Sequence, residues 1–322
     1  MSSPITYQDV LAARERLRPH LAPTPLRHYP LLDQAVGHGI HVSVKHENHH
    51  PTQSFKIRNG LNAILALSDA ERARGVIAAS TGNHGQGLAY AGGLTGTTVT
   101  ICVPEGNNPS KNAAIRALGA ELLEIGASYD ETIQGCARIR EERGLTLVHS
   151  TNNTHVIAGA GTMTLELLEQ DPACDAVIIA LGGGSQAVGA ITVARERKPS
   201  LGVYAVGAAS APAQFESWQR GERLSGLPVA TFAEGIATGS AYEMTFDALR
   251  EGLAGFVTVS EASMYQSIRD LINLTHNVPE GAGAAGFAGL QALAPKLAGK
   301  RVAIIMCGGN LAERDLQRAL AS

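Results

Sequence analysis

The amino-acid sequence predicts an α/β fold with two domains and open, mostly parallel sheets. Short runs rich in β-branched residues alternate with helix-like stretches along the chain. Several of these runs are apolar throughout, which is typical of strands covered on both faces. Such alternation favours parallel strands joined by right-handed crossovers. A chain of 322 residues is also long enough to bury more than one core.

The predicted strands are β-rich runs at residues 40–44, 76–79, 98–103, 176–180, 203–206 and 302–306. Helices predicted between them include residues 112–118, 132–143 and 284–297. No internal repeat or long linker interrupts the pattern, so we expect the domain boundaries in ordinary loops, at Gly75 and at residues 149–154. We therefore predict a large domain of residues 1–75 and 151–322, and a small, mobile domain of residues 76–150.

Composition and charge exclude several classes of protein. The net charge is −3 and no basic run is present, so we expect no nucleic-acid partner. No apolar run is long enough to span a bilayer, so we expect no membrane partner. The segment Met1–Asp9 has neither the basic start nor the apolar core of a signal peptide. A cytoplasmic location also fits the absence of paired spacing among the cysteines Cys102, Cys136, Cys174 and Cys307.

A lysine in the segment Pro51–Gly60 is the first candidate functional residue. Lys56 follows the aromatic Phe55 and precedes a helix-like run at residues 57–67. Most lysines are solvated surface charges, so Lys56 is a candidate functional residue only in combination with other elements of the sequence. Three such elements lie far along the chain, each at the end of a predicted strand: Ser80–His84, Gly182–Ser185 and Cys307–Asn310.

The glycine-rich element Gly182–Ser185 predicts an anion site. It directly follows the strand at residues 176–180 and precedes a run of small residues, 187–194. In an open α/β sheet, ligands bind beyond the carboxyl ends of the strands, where helices begin. Backbone amides in such a turn converge on an anion, and the helix dipole adds to their attraction. The element lacks the lysine of a nucleotide P-loop, and a purely structural turn is the alternative interpretation.

The other two elements have similar positions. Ser80–His84 follows the strand at residues 76–79, and its amides and hydroxyls suit a second anion such as a carboxylate, with a helix N-cap as the alternative. Cys307 ends the strand at residues 302–306 and would face a ligand as a weak hydrogen-bonding group, or else be an inert core residue. With the lysine, the three elements predict a pocket for a phosphorylated aldehyde cofactor.

At this point the chain resembles fold-type II pyridoxal-phosphate (PLP) enzymes of the serine/threonine dehydratase family, whose fold is tryptophan synthase β-like. The family's Ser-Phe-Lys is met at Ser54–Lys56, and its Ser-x-Gly-Asn-His at Ser80–His84. Further blocks match in order at Val156–Thr162, Glu234–Ala237, Glu280–Ala285 and Gly308–Asn310. The resemblance runs from Thr24 to Asn310, and the His-Glu-Asn-His-His segment before the lysine is similar to a branch that includes phenylserine dehydratases.

The resemblance implies a role for each matching residue. Lys56 would bind the cofactor aldehyde and then act as the base at the substrate Cα, with Ser80 and Glu280 as further catalytic residues. The cofactor-binding residues, from ring to phosphate, would be Phe55, Lys56, Asn83, Cys307, Gly235, Gly182, Gly183, Gly184, Ser185 and Gln186. The substrate carboxylate would be bound by the loop Ser80, Thr81, Gly82, Asn83 and His84. The large domain would hold PLP, and the small domain would close over the substrate.

Departures from the family pattern give further expectations. Gln53 replaces a common glycine, and with His49 and His50 it is expected to change the lining of the substrate pocket. We therefore expect threonine or phenylserine to be accepted at least as well as serine. Residues 207–213 offer no carboxylate, so we predict no metal site. For Glu280, an exposed acid at a helix N-terminus is the alternative to a role near the active site.

The predicted function is a PLP-dependent dehydratase, or ammonia-lyase, that converts a β-hydroxy-α-amino acid of the threonine or serine type to a 2-oxo acid and ammonia. Phenylserine specificity is an alternative within that activity. An amino-acid racemase is an alternative within the fold, and a non-catalytic PLP-binding or carrier protein is an alternative of another class. The expected partners are a small amino-acid substrate and a second copy of the chain in a homodimer.

Overall fold

The computed structural model describes residues 3–321, so Met1 and Ser2, on which part of the signal-peptide prediction rests, lie outside the described residues. Over that range the strands form two sheets. The strands are β1 (Leu26–His28), β2 (His41–His46), β3 (Val76–Ala79), β4 (Val99–Val103), β5 (Glu121–Glu124), β6 (Thr146–Leu147), β7 (Ala176–Ala180), β8 (Gly202–Ala208), β9 (Gly255–Val259) and β10 (Arg301–Met306).

The α-helices of residues 3–321 are α1 (Tyr7–Leu17), α2 (Pro30–Val36), α3 (Lys56–Leu65), α4 (Asp69–Arg74), α5 (Asn83–Thr95), α6 (Pro109–Ala117), α7 (Tyr129–Arg143), α8 (Thr154–Gln170), α9 (Ser185–Arg197), α10 (Ala213–Arg220), α11 (Glu243–Gly252), α12 (Glu261–Thr275), α13 (Gly281–Leu293) and α14 (Glu313–Ala321). Short 3-10 helices are at Glu47–His49, Glu234–Ile236 and Ala294–Leu297. None of these helices is both long and apolar enough to cross a membrane.

The six-stranded sheet has the order β1-β2-β10-β7-β8-β9, and the four-stranded sheet has the order β5-β4-β3-β6. Every pairing is parallel except that of β1 with β2, which is antiparallel. The predicted α/β class with open, mostly parallel sheets is confirmed. Four strands were not predicted, because β1 and β6 are very short, β5 has glutamates at both ends, and β9 mixes buried with half-buried positions.

Each sheet has its own hydrophobic core. The strands β7 and β10 are buried along nearly their whole length in the core of the larger sheet. The smaller sheet has a second core, which includes Val76 and Ile101 from its strands. All strands of the smaller sheet lie within residues 76–150. The predicted domain division, residues 1–75 and 151–322 against residues 76–150, stays a prediction about which parts move together.

The helix α3 packs on the smaller sheet although its residues precede that sheet in the chain. Ile57, Leu61 and Ile64 on α3 belong to the core of the smaller sheet. At Gly87 in α5, an added Cβ atom would lie 2.5 Å from the carbonyl oxygen of Lys56, so only glycine allows α5 to approach the first turn of α3 so closely. The packing therefore holds the first turn of α3, and with it Lys56, where the two sheets meet.

Behind this turn, α3 is anchored by buried charges. The guanidinium of Arg58, which is 1% exposed, donates to Glu47 at 2.7 and 3.0 Å and to Glu166 at 2.6 and 2.7 Å. Lys45 donates to Glu166 at 2.9 Å and to the carbonyl of Thr24 at 2.8 Å. Burial alone would raise the pKa of Glu47, but Arg58 holds that pKa well below its ordinary value. Two cations and two carboxylates thus balance in a buried cluster that joins β2, α3 and α8.

We expect Arg58→Met to destabilise the protein by about 3–5 kcal/mol, because the substitution leaves Glu47 and Glu166 as buried carboxylates without their main cation. Urea unfolding followed by circular dichroism measures the change in the free energy of unfolding. The matched control is Arg220→Met, which breaks the exposed Arg220–Glu216 pair and should cost about 1 kcal/mol or less. Equal costs for the two variants would contradict the anchoring role.

Candidate active site

A cavity of about 870 Å³ opens at the carboxyl ends of strands from both sheets. Its lining combines residues from α3, from the loop that follows β3, from the glycine turn that follows β7, and from the end of β10. The structure brings all of the site residues predicted from the sequence to this cavity: Phe55, Lys56, Ser80, Thr81, Gly82, Asn83, His84, Gly182, Gly183, Gly184, Ser185, Gln186, Gly235, Glu280 and Cys307.

Lys56 is the first residue of α3. The segment before it, residues 53–55 (the strap), holds Lys56 against the larger sheet. The amide of Phe55 donates to the carbonyl of Cys307 at 3.0 Å, and Ser54 and Gly308 form an antiparallel bridge. The Nζ atom of Lys56 lies 5.0 Å from the centroid of the Phe55 ring. Burial lowers the pKa of Lys56 to about 8, against the smaller opposing effects of Cys307 and Glu280. An amine with this pKa is far more often unprotonated at neutral pH than an ordinary lysine.

The glycine turn between β7 and α9 leaves no room for side chains. A Cβ atom on Gly183 would lie 1.9 Å from Oγ1 of Thr151, and Gly184 has the left-handed φ of +99°. Two carbonyls of the turn already accept hydrogen bonds, Gly182 from Gln214 at 2.9 Å and Gly183 from Thr245 at 2.8 Å. Amides of the turn and the N-terminus of α9 therefore suit an anion, as the sequence predicted.

A chain of hydrogen bonds orients Asn83 at the cavity. Its Nδ2 atom donates to both carboxylate oxygens of Glu280, at 2.8 and 3.0 Å. Its Oδ1 atom accepts from Nδ2 of Asn310 at 2.8 Å, and the same Asn310 atom donates to the carbonyl of Thr52 at 3.0 Å. Burial raises the pKa of Glu280. Glu280 precedes α13, as the alternative interpretation proposed, but it is half-buried and faces the cavity instead of being an exposed acid.

Ser80 and His84 organise the loop after β3. The Ser80 hydroxyl oxygen accepts from the amides of Gly82 at 3.4 Å and Gly85 at 2.9 Å. Nε2 of His84 donates to the carbonyl of Val148 at 2.9 Å, and its Nδ1 atom is buried without a partner among residues 3–321. Burial lowers the pKa of His84 to about 3, with the charge of Lys56 acting in the same direction. The imidazole is therefore neutral at pH 7 and keeps a free acceptor at the cavity.

These observations test whether the site fits a phosphorylated aldehyde cofactor. Within residues 3–321, Nζ of Lys56 contacts the Phe55 ring but forms no hydrogen bond or ion pair, so its amine is free to react. The turn Gly182–Gly184 forms a cradle that a Cβ atom would fill. His84 leaves a buried ring nitrogen unpaired. A free amine and an anion cradle on one cavity, with a neutral histidine in its lining, together fit PLP.

The expectation that Gln53, His49 and His50 line the substrate pocket is wrong, because all three lie elsewhere. Gln53 has a left-handed φ of +56°, a conformation that glycine adopts more readily, and its side chain is exposed. His50 is buried against Glu47 at 3.2 Å, and Nε2 of His49 lies 2.7 Å from Oδ1 of Asn277. None of these side chains contributes to the cavity lining in the described chain.

Residues 207–213 contain no carboxylate of their own, but a carboxylate from another element forms a hydrogen bond with them. Oγ of Ser210 donates to Glu261, on α12, at 2.5 Å. Within residues 3–321, a group of three possible metal ligands lies elsewhere, at the edge of the larger sheet, where His28, Asp33 and His41 approach one another. The absence of a metal at residues 207–213 stays a prediction.

Comparisons with known proteins agree with this geometry. The family model described as "Pyridoxal-phosphate dependent enzyme" matches residues 17–308. The chain is 37% identical over 319 residues to an L-threonine ammonia-lyase of Thermotoga maritima, covering 98% of this chain and 78% of that protein. It is 34% identical over 306 residues to an L-threo-3-hydroxyaspartate ammonia-lyase of Pseudomonas sp, covering 95% of both. A crystal structure of a threonine deaminase from T.th. superimposes with a TM-score of 0.89 at 34% identity, covering 96% of this chain and 99% of that one.

The chain therefore belongs to the family of pyridoxal-phosphate-dependent enzymes. Within it, the similarity is to the serine/threonine dehydratases, and the predicted fold-type II architecture, PLP cofactor and PLP-dependent lyase class are confirmed. The lyase class excludes the non-catalytic carrier as an interpretation. The comparisons do not bear on the phenylserine branch.

Sequence reasoning assigned no role to two charged residues that face each other across the cavity. Lys111, on α6, donates to Glu234, which begins the 3-10 helix Glu234–Ile236, at 2.5 Å. The two residues are 123 positions apart in the chain. Glu234 belongs to the family block Glu234–Ala237, whereas Lys111 belongs to no motif, and the sequence holds no signal that pairs the two.

We expect Lys56 to titrate near pH 8 in the cofactor-free protein, because burial favours its neutral amine. Labelling with acetic anhydride, followed by mass spectrometry of the Lys56 peptide, measures the fraction of free amine as pH is varied. The labelling rate of Lys56, after a model lysine amide in the same tube has been used to correct for hydrolysis of the anhydride, should rise and level off around pH 8 and not around the ordinary lysine value near 10.4. A midpoint above about pH 10 would contradict the burial argument.

Proposed function

We propose that the protein is a PLP-dependent ammonia-lyase that converts a β-hydroxy-α-amino acid of the threonine or serine type to a 2-oxo acid and ammonia. The observation that carries the proposal is the position of Lys56, a free amine of lowered pKa between the loop Ser80–His84 and the cradle Gly182–Ser185. The ammonia-lyase names of the relatives in Thermotoga maritima and Pseudomonas sp support it.

The residues that would hold the cofactor follow from the cavity. Amides and the hydroxyl of the turn Gly182–Ser185, at the start of α9, would bind its phosphate, with Gln186 and Gly235 beside them. Phe55 would lie against the ring, and Lys56 would bind the aldehyde. Asn83 would donate to the phenolic oxygen in place of one of its two hydrogen bonds to Glu280. When bound, PLP withdraws electrons from the substrate Cα, which makes loss of a β-leaving group possible.

Substrate binding would use the loop after β3. Its Ser80, Thr81 and Gly82 groups and the N-terminus of α5 suit the substrate carboxylate, because helix N-termini attract anions. The hydrogen bonds that hold the Ser80 hydroxyl keep the loop in shape. Lys56, once released by the substrate amine, would take the proton from Cα, for which its lowered pKa is suited.

Asn83 and Glu280 would control protons near the cofactor. Asn310 and Glu280 bind the Asn83 amide from opposite sides, so the orientation of this amide at the cavity is fixed. The raised pKa of Glu280, caused by burial, lets that carboxyl accept and return a proton more readily than an exposed glutamate. Ser80, which belongs to the proposed substrate-binding loop, adds a hydroxyl group to the cavity lining.

Cys307 would face the pyridine nitrogen. Burial raises the pKa of its thiol, and the nearby Glu280 adds to that effect, so the group is neutral at pH 7. A neutral thiol donates at most a weak hydrogen bond and cannot hold the ring nitrogen protonated as an aspartate would. We infer that this position favours prompt loss of the β-hydroxyl over reactions that need a long-lived carbanion.

The remaining properties are proposals of the same kind. We propose that residues 76–150, with the loop Ser80–His84, close over the substrate as a small domain. We also propose that the protein acts in the cytoplasm as a homodimer on a free amino acid, without a nucleic-acid or membrane partner. Gel filtration with light scattering measures the oligomeric state.

We expect the purified protein to release 2-oxo acid from L-threonine, L-serine or L-phenylserine, and Lys56→Ala to lose this activity together with the absorbance band of the bound cofactor. The assay measures kcat/KM for each amino acid under one condition, with chiral analysis of the recovered substrate. Circular dichroism and Tm of the variant should match those of the parent.

The control for this experiment is Lys45→Ala, which removes a lysine outside the cavity and leaves Lys56 in place. It should lower Tm but keep the cofactor absorbance. Racemised substrate without 2-oxo acid would favour a racemase instead of a lyase. Unchanged turnover in Lys56→Ala would refute the assignment of Lys56.

We expect Cys307→Ser to retain activity within about tenfold, or about 1.4 kcal/mol, because a hydroxyl and a thiol are both neutral at the ring nitrogen. Cys307→Asp should slow elimination further and increase side reactions, since a carboxylate favours the protonated ring. The measurements are 2-oxo acid release and the cofactor spectrum of each variant. An aspartate variant that eliminates as fast as the parent would disprove the electronic argument.

A further inference from the structure

The Lys111–Glu234 ion pair spans the mouth of the cavity. Lys111 comes from α6, which follows β4 of the smaller sheet, whereas Glu234 comes from a 3-10 helix beyond β8 of the larger sheet. The Lys111 side chain is 14% exposed and the Glu234 side chain is 44% exposed. The pair therefore crosses from one sheet's side of the cavity to the other at its solvent edge.

The pair lies directly beside the loop that suits the substrate carboxylate. A Cβ atom on Gly82 would be 3.7 Å from Oε2 of Glu234 and 3.9 Å from Nζ of Lys111. Gly82 immediately precedes α5. A substrate held at this loop by its α-carboxylate would thus have both charged groups within reach of its side chain.

The charges around the cavity are unequal. Within the described chain, Lys56 and Lys111 are the lysine and arginine side chains that line it, and Lys56 is committed to the cofactor. The carboxyl groups that line it are those of Asp130, Glu234 and Asp315, together with that of Glu280, whose pKa is raised by burial. Binding of a substrate with a second carboxylate is therefore disfavoured unless Lys111 forms an ion pair with that carboxylate. Lys111 is already paired with Glu234.

We propose that the Lys111–Glu234 pair determines selectivity for the charge of the substrate side chain. Lys111 is the group that would bind a second carboxylate on the substrate β-carbon. Glu234, by binding Lys111 and by its own charge, favours substrates whose β-substituent is uncharged. This inference rests on the proposed function, and it predicts that the native protein prefers L-threonine to L-threo-3-hydroxyaspartate.

The physical basis is competition for one cation. A second carboxylate must replace Glu234 at Lys111, so it gains little net attraction while the displaced Glu234 remains close by. If Glu234 becomes a neutral glutamine, Lys111 is free and the repulsion is gone. If Lys111 becomes a methionine of similar length, no cation remains for the second carboxylate.

The experiment compares kcat/KM for L-threo-3-hydroxyaspartate with kcat/KM for L-threonine in the parent, Glu234→Gln, Lys111→Met and the double variant. We expect Glu234→Gln to raise the ratio by about tenfold and Lys111→Met to lower it. The double variant should give a ratio between those of Glu234→Gln and Lys111→Met, because it lacks the cation but also lacks the repulsion from Glu234. The matched control is Glu216→Gln, which breaks an exposed ion pair outside the cavity and should leave the ratio unchanged.

Inhibition provides a second measurement that needs no turnover of a dicarboxylate. Succinate should inhibit Glu234→Gln more strongly than the parent, relative to butyrate, since only succinate offers a second carboxylate. The parent and each variant should show similar circular dichroism and Tm, so that a change in the ratio is not a change in folding.

The outcomes separate this inference from the function on which it rests. If none of the proteins releases 2-oxo acid from any β-hydroxy amino acid, the proposed function fails. If threonine is turned over but both single variants leave the ratio within about twofold of the parent, the inference fails. Equal losses for both substrates would show that the pair only closes the cavity or binds the α-carboxylate, and would likewise overturn it.

Discussion

The buried charge cluster around Arg58 is the constraint on which the rest of the site depends. Arg58 lies two residues after Lys56, on the same first turn of α3, and it binds Glu47 and Glu166 with short hydrogen bonds. If a helix anchored at this point moved along or about its axis, Arg58 would separate from its carboxylates. Buried charges would then be left unpaired, which is costly. The orientation of Lys56 toward the cavity is thus determined from behind the helix as well as from the cavity side.

On the cavity side, the strap of residues 53–55 joins the end of β10. Hydrogen bonds from Phe55 to Cys307 and from Gly309 to the carbonyl of Gln53 hold it in place. The apolar face of α3 meanwhile packs with the smaller sheet. One short helix therefore contacts both sheets, and the reactive amine lies where they meet. Closure of the smaller sheet over a substrate would move groups such as Gly82 relative to this fixed amine.

The electrostatics of the cavity are tuned by burial more than by ion pairing. Burial lowers the pKa values of Lys56 and His84 and raises those of Glu280 and Cys307. Each shift favours the neutral form, because a charge is poorly solvated there. The Lys111–Glu234 pair differs, since its two side chains form an ion pair that solvent partly reaches. These differences agree with the two proposals, proton transfer by buried groups of the cavity and substrate selectivity by the Lys111–Glu234 pair.

The sequence by itself determined the α/β class, six of the strands, the cofactor and fifteen of the residues that line the cavity, because each depends on short contiguous patterns such as the lysine segment or the glycine turn. It did not determine the strand Glu121–Glu124, because the glutamates at both ends do not resemble a buried strand. It also did not determine that the Gln53 side chain points outward. Only the tertiary structure placed Lys111 against Glu234 and Arg58 between two carboxylates. Such pairs join residues far apart in the chain, and their distances follow from how helices pack on the two sheets, which no local pattern encodes.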